Sequence, residues 1–183
     1  LYPKFIKKYY KHPNWYRLDG KPVMAISGGN QKAHHDILKK LKDEGYPVSY
    51  LGFYGGGRFV MSWSVETAQR LFRGYPLMDG LWHFSCDGQT GDLMRLNANA
   101  RRATQFMGKH YMAGVCFAYN SANMRDHHGM HGYLSQWEAA RRDGADLVSV
   151  ITWNDYNEDS NLMPYRWQRG WGKQYYNRDE AVL

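Results

Sequence analysis

Apolar residues fall into two alternating patterns along the 183-residue chain. Short, nearly continuous apolar runs at residues 22–27, 47–53, 80–86, 112–119 and 146–153 predict strands covered on both faces. Between them the apolar positions recur at helical spacing. Residues 31–44 place Ala33, Ile37, Leu38 and Leu41 on one face, with Asn30 as an N-cap and Gly45 just past the end. Residues 64–72 form a short capped helix with Val65, Ala68, Leu71 and Phe72 inward. Residues 99–110 use Ala100, Ala103, Phe106 and Met107; residues 133–143 use Tyr133, Trp137 and Ala140 and stop at Gly144. Residues 1–21 read as the end of a preceding helix and a lead-in loop.

Strand starts lie roughly 25 to 34 residues apart, the length of one βα unit. The resulting β-α-β-α-β-α-β-α-β order predicts an α/β fold with a parallel sheet wrapped by helices. An open doubly wound sheet and a (β/α)8 barrel both fit that order. No Gly-x-Gly-x-x-Gly opens a helix after the first strand, and Gly55-Gly56-Gly57 sits in a loop. Polar and aromatic residues gather after the strands instead: Tyr54, then His83 and Asp87, then Tyr119 and Asn120, then Asp155. Catalytic groups at the carboxyl ends of several strands are the layout of a barrel enzyme. The expectation is therefore a (β/α)8 TIM-barrel type fold. Residues 1–183 would be a single catalytic-domain portion supplying about the C-terminal five βα strands. The remaining strands would precede Leu1, in keeping with the absent initiator Met.

The fifth run carries the chemistry. Leu147-Val148-Ser149-Val150-Ile151 leads into Trp153-Asn154-Asp155 and then Glu158, so a buried strand delivers two carboxylates, an amide and an indole to its carboxyl end. Acid–base cleavage of a glycosidic bond needs two carboxyl groups flanking it, and an aromatic plate suits the apolar face of a sugar ring. In a fully extended strand, residues three apart would be about 10 Å apart and on opposite faces, so the chain must bend after Asp155 for both to face one cleft. The plainer alternative is that the two acids decorate a polar loop.

Composition bears on substrates. Seven Trp and 15 Tyr raise the aromatic fraction to 16%, as a carbohydrate cleft or a thick aromatic core would. The formal charge of +7 is scattered over Lys7-Lys8, Lys39-Lys40, Arg101-Arg102 and Arg141-Arg142, with no basic stripe interleaved with aromatics. Nucleic-acid binding is not expected. Nor is a membrane span, since no apolar stretch is long enough. Cys86 and Cys116 each close a predicted strand as buried thiols, and a disulfide between them stays open. The run Asp126-His127-His128-Gly129-Met130-His131 has no cysteine nearby, so it reads as a loop lining the cleft, with His127 or His128 touching substrate, rather than as a metal site. No Gly-x-Ser-x-Gly elbow supports serine hydrolysis. No metal or cofactor is expected. Candidate substrate contacts are Asp79, Trp82, His83, Tyr119, Asn120, Trp153, Asn154 and Tyr156. Asp79 ends the loop before a strand, where a structural role is the commoner one, and alternation would turn only one of Trp82 and His83 inward. For Trp153, core packing competes with a sugar platform.

Trp153-Asn154-Asp155-Tyr156-Asn157-Glu158 is similar to the Trp-Asn-Asp-Tyr-Gly-Glu-Ser signature of the α-1,3-glucanases (mutanases) of glycoside hydrolase family 71. Three further segments resemble that family in its order: His12-Pro13 through Asp19-Gly20-Lys21-Pro22-Val23, then Asp79-Gly80-Leu81-Trp82, then Tyr111-Met112-Ala113-Gly114-Val115. A related family, the family 99 endo-α-mannosidases, shares the Asp-Gly-Lys-Pro lead-in but has Glu where this chain has Asp155. Asn157 and Asp159 depart from the family 71 glycine and serine, which bears on subsite shape. The resemblance implies Asp155 and Glu158 as an inverting catalytic pair, a complete barrel, an endo-acting attack on α-1,3-glucan, and an extracellular or periplasmic location. Glu158 is taken as the acid and Asp155 as the base, an assignment the sequence leaves exchangeable. The partners implied are a polysaccharide or oligosaccharide and the amino-terminal part of the same barrel. The rival expectations are a silent sugar-binding protein, an inactive fragment, and an endo-α-mannosidase-like activity.

Overall fold

The computed structural model describes residues 2–26, 30–53, 64–84, 89–120, 124–125, 129–153 and 162, with only the backbone at 120, 124 and 125. In chain order the elements are α1 (Tyr2–Tyr9), β1 (Arg17–Leu18), β2 (Lys21–Ile26), α2 (Gln31–Asp43), β3 (Ser49–Phe53), α3 (Val65–Gly74), β4 (Met78–Trp82), α4 (Thr90–Phe106), β5 (His110–Cys116), β6 (Tyr119–Asn120), β7 (Met124–Arg125), α5 (Gly129–Arg142) and β8 (Leu147–Ile151). The main sheet runs β1-β2-β3-β4-β5-β8, and β2 through β5 pair parallel. The strands follow chain order across the sheet, with β1 antiparallel to β2 and with β6 and β7 set apart in a two-stranded ladder between β5 and β8 in sequence. A doubly wound sheet reverses its order at a switch point, and none occurs among the described strands; sequential parallel strands are the barrel arrangement.

The five long strands and four of the helices stand where the apolar pattern predicts, and the capping residues explain several ends. The Asn30 side chain accepts from the N–H groups of Lys32 and Ala33, and Ser64 accepts from Thr67. α2 and α5 close alike: Gly45 and Gly144 take positive φ, and the next N–H returns to Leu41 O (2.8 Å) and Ala140 O (3.0 Å).

Packing divides the chain into two compact units, Leu1–His83 with Asn99–Met112, and Phe84–Ala98 with Ala113–Leu183. The first centres on Ile6, Leu38, Leu41, Tyr50, Leu51, Phe72, Met78, Leu81 and Tyr111, all buried. The second buries Leu93, Leu96, Ala113, Val115, Cys116, Ala139, Ala140 and Ile151.

Four expectations about helices and strand ends need correction. α4 starts at Thr90 rather than 99. Its buried face includes Asn97 and Thr104, so apolar periodicity alone hides it; Asn97 is satisfied by donating to Gly114 O at 3.0 Å. Phe106 is 66% exposed, because the buried row runs Leu93, Leu96, Ala100, Ala103 and on toward Met107. In α5 the inward face is Gly132, Gln136, Ala139 and Ala140, leaving Trp137 exposed. Gln136 belongs there because its amide both accepts from Cys116 N and donates to Cys116 O, each at 2.9 Å, repeating a strand's own bonding. β5 ends at Cys116, and Tyr119–Asn120 forms a separate two-residue ladder with Met124–Arg125. The Cys116 Sγ is buried against Ala118 O at 3.0 Å, while Cys86 lies outside the described residues.

Candidate active site

In the first unit, the amino and carboxyl ends of the strands differ in kind. At the amino end the register between β3 and β4 shifts: Tyr50 pairs with Met78 and Leu51 with Gly80, so Asp79 is an extra residue. Its Oδ2 accepts the Tyr50 N–H at 3.2 Å, and its Oδ1 holds Lys21 Nζ at 2.7 Å. Lys109 Nζ donates to Met78 O at 2.8 Å, and His110 Nε2 meets Asp19 Oδ2 at 2.9 Å. The hydrogen bond from His110 holds the Asp19 carboxyl below its ordinary pKa. Side chains thus clamp β2, β3, β4 and β5 at their starts. Both Asp79 oxygens thus serve the clamp, the structural role that competes with a sugar contact, at the end of the strands opposite to Trp82 and His83.

At the carboxyl end, β4 stops at Trp82, so alternation no longer governs His83 and both rings are buried. The expectation that only one of the two would turn inward is corrected on that ground. Trp82 donates its indole N–H to Ile26 O at 3.4 Å. His83 lies nearly parallel to Phe53, with interplanar angle 9° and centroids 6.1 Å apart, and Phe53 also tilts against Trp82 at 5.2 Å. The end of β3 is held from α2, where Gln31 Nε2 donates to Phe53 O at 2.7 Å and Gln31 Oε1 accepts from Tyr50 OH at 2.6 Å. Burial pushes the Tyr50 hydroxyl up to about 12. Phe53 and Gln31 are site-shaping residues that strand and helix periodicity passes over. A polar residue in the first turn after Asn30, facing a strand end, is the signal that would have found Gln31.

In the second unit, Cys116 and Ile151 form a small apolar floor at the ends of β5 and β8, with Phe84 and Tyr119 packed on it. Beyond β8 the Ile151–Thr152 peptide is cis. Trp153 is 64% exposed, so it is not core, and the platform reading of its indole remains. The Leu162 N–H returns to Thr152 O at 2.8 Å, closing the chain on itself across nine residues, 153–161. Asn154, Asp155, Tyr156 and Glu158 belong to that interval and lie outside the described residues, as do Tyr54, Asp87, His127 and His128 and the side chain of Asn120. Among the described residues no group of three or more His, Cys, Asp or Glu is placed to hold a metal ion.

A family model described as glycosyl hydrolase family 71 matches residues 2–181. Solved structures of the same fold include a family 99 endo-α-mannosidase from Bacteroides thetaiotaomicron, 16% identical, with TM-score 0.72, covering 94% of this chain and 53% of that one. A bis-tris-propane complex of the endo-α-mannosidase from that organism gives 16% identity and TM-score 0.73, covering 97% of this chain and 58% of that one. The chain therefore spans a little over half the length of the structures it resembles. No curated protein matches it.

Proposed function

This chain belongs to glycosyl hydrolase family 71, and on that premise we propose that it is the carboxylate-bearing part of a glycosidase that cleaves α-glucan, with α-1,3-glucan attacked internally. The observation that carries the proposal is the family match over residues 2–181, which takes in the Trp-Asn-Asp-Tyr-Asn-Glu segment directly after β8. The buried Ile151, the exposed Trp153 and the Thr152–Leu162 hydrogen bond stand at the carboxyl end of β8, the end at which a barrel carries its chemistry.

In the proposed reaction Glu158 protonates the oxygen between two sugars as the C1–O bond breaks. Asp155 removes a proton from water as that water attacks C1 from the opposite face, and the anomeric configuration inverts. Both groups regain their starting protonation by exchange with solvent. Room for the water requires the carboxyl groups to stand about 6.5–9.5 Å apart. His83, Trp82, Tyr119, Asn120, Trp153, Asn154 and Tyr156 are proposed to contact the glycan, with Phe53 and Gln31 fixing the strand end beside His83. The substrate is met outside the cell or in the periplasm; no helix of the described residues is long and apolar enough to cross a membrane.

The fold likeness to the family 99 endo-α-mannosidases supports one second reading, hydrolysis of an α-mannoside. Reducing-sugar release from α-1,3-glucan and from α-mannan, measured on the longest polypeptide its gene encodes, separates the two. Release from glucan with inverted anomers by NMR is the expected result. Release from mannan alone, or binding of glucan without turnover, overturns the glucanase reading.

A further inference from the structure

Charge that is spread along the sequence is gathered by the fold. Residues 1–46 hold ten Lys and Arg against four Asp and Glu, so +6 of the chain's net +7 lies in this quarter of it. Most of these residues sit on α1 and α2, which run side by side. Tyr2 OH meets His34 Nδ1 at 3.3 Å near the start of both helices, and Lys7 Nζ meets Glu44 Oε2 at 2.6 Å near their ends. Just beyond, Tyr10 OH donates to Pro47 O at 2.9 Å. Two of the four basic pairs, Lys7-Lys8 and Lys39-Lys40, thereby reach neighbouring helices.

The outer face of α1 is basic from end to end. Ile6 is fully buried and marks the inner face; Lys4 and Lys8, each two residues from it, lie about 200° round the helix. Both are exposed, as is Lys11 in the turn that follows. On α2, exposed Lys40 bears the same relation to buried Leu38. The acids of α2 and its end are engaged with other lysines: Glu44 pairs with Lys7 and Asp36 with Lys32, and these hydrogen bonds hold both carboxyls below their ordinary pKa. Among the described residues no acidic side chain comes within ion-pair distance of Lys4, Lys8, Lys11 or Lys40. The arrangement works against the helix that carries it. Lys4–Lys8 and Lys8–Lys11 are like charges at i,i+4 and i,i+3, and the first turn of α1 holds Lys4 and no acid, the reverse of what the macrodipole favours. Residues that oppose their own element mark a gain made elsewhere.

We propose that the outer face of α1, joined by Lys40 of α2, is a docking surface for a linear acidic polysaccharide bearing a carboxylate on each sugar. Charges in a line suit a polymer that carries its own in a line: along the helix axis Lys4, Lys8 and Lys11 rise by about 6 and then about 4.5 Å. Every basic side chain on α1 and α2 is Lys, a mobile point charge that follows charge density without the planar fork that fixes one phosphate or carboxylate. Arg17, the one Arg of residues 1–46, is spent on the chain itself, donating to Gly20 O at 3.0 Å and to Tyr10 O. The surface therefore holds the protein on its polymer by several weak contacts and selects no single sugar. The choice of a polysaccharide among polyanions rests on the glycosidase reading, and the test reads binding without sugar release.

Binding is measured by titration calorimetry on the longest polypeptide the gene encodes, with polygalacturonate as the probe. Affinity is expected to fall by at least about tenfold between about 0.01 and about 0.1 M salt, as the Debye length shrinks from about 30 to about 10 Å. The triple variant Lys4→Gln, Lys8→Gln, Lys11→Gln is expected to weaken binding by at least about tenfold at the lower salt, three exposed charge contacts being lost together. Its melting temperature is expected to hold or rise, because Gln matches Lys in helix propensity and the like-charge pairs are gone. A control that removes equal charge at exposed positions elsewhere, Arg70→Gln, Arg73→Gln and Arg141→Gln, is expected to weaken binding less than about threefold. Three results overturn the proposal: no binding of polygalacturonate at the lower salt; equal weakening by the two triple variants, which would mean net charge alone; or tighter binding of single-stranded oligothymidylate or of phosphatidylserine vesicles, which would make the partner a nucleic acid or a membrane. A protein that binds polygalacturonate through α1 but cleaves no glucan would refute the glucanase reading and leave this surface standing.

Discussion

Asp79 and His83 stand four residues apart on β4 and its exit, and both read in the sequence as candidate sugar ligands. At the amino end of β4, Asp79 spends one oxygen on Lys21 and the other on the Tyr50 N–H left over by a register shift. At the carboxyl end, His83 is buried against the Phe53 ring, at the rim of strands whose carbonyls are tied by Trp82 and Gln31. Roughly 13 Å of strand at about 3.3 Å per residue divides them. The lesson is positional: in a parallel βα fold the amino ends fasten the sheet and the carboxyl ends face the substrate. A polar residue's end of the strand is a better guide than its type.

The largest effect that sharpens this contrast comes from the carboxyl end of β8. Asp155→Asn and Glu158→Gln are each expected to lower kcat on α-1,3-glucan by about 10²–10⁴-fold, the usual worth of a general acid or base, with circular dichroism unchanged. The acid variant, and not the base variant, should recover much of its rate on an aryl glycoside whose leaving group needs no proton. That difference decides which carboxylate is which. Variants that hydrolyse as fast as the parent would remove the pair from the mechanism.

Next in size is a steric test at the amino end. A Cβ on Gly80 would stand 2.5 Å from His110 O and 2.9 Å from His110 C, both backbone atoms of β5 that cannot give way alone. Gly80→Ala is therefore expected to cost about 3 kcal/mol by denaturant unfolding. At Gly52 the crowding atoms are the thioether end of Met78, which can swing aside, and Gly52→Ala is expected to cost about 1 kcal/mol. Equal costs would mean that the β5 backbone beside Gly80 gives way as readily as the Met78 thioether beside Gly52.

How much of this was legible follows the same division. Strands and caps were readable because local rules decide them: Asn30, Ser64, Gly45 and Gly144 do what their side chains or positive φ allow. Polar residues buried by long-range bonding were not readable. Asn97 and Gln136 interrupt the apolar faces of α4 and α5 and are satisfied by Gly114 and Cys116, which are 17 and 20 residues away. Asp79 left a structural role and a sugar contact both open, because the extra residue that turns it toward Tyr50 is a property of two strands together. Phe53 gave no warning either, since its role exists only once His83 leaves the strand and lies over it.

Smaller still is the paired effect at the two ends of β4. Asp79→Ala strands a buried N–H at Tyr50 and breaks the Lys21 pair, so a loss of about 1–3 kcal/mol is expected, with kcat/KM per folded molecule unchanged. His83→Asn is expected to lower kcat/KM by about tenfold, the size of one good hydrogen bond to a sugar hydroxyl. Reversal of that pattern would undo the assignment of ends.

The smallest effect concerns Tyr50, which joins the two ends: its N–H serves Asp79 and its hydroxyl serves Gln31 below Phe53. Burial raises the hydroxyl from 10 to about 12, because the phenolate would have to form without water. Below pH 10 both folded and unfolded forms are neutral and the group is silent. Between pH 10 and about 12 the unfolded chain loses its proton first, so the folded state loses stability as pH rises. Tyr111, fully buried, is raised as well and adds to the same alkaline slope. Tyr50→Phe should flatten part of that slope in urea titrations at pH 10–12, while costing about 1 kcal/mol at pH 7 for the lost bond to Gln31. Since the lost bond loosens the end of β3 and not its start, the neutral-pH variant should raise KM while leaving exchange at the Asp79 clamp unchanged. A variant that frees the clamp instead would show that the amino and carboxyl ends of β3 are not separable, and the contrast between them would have to be drawn on β4 alone.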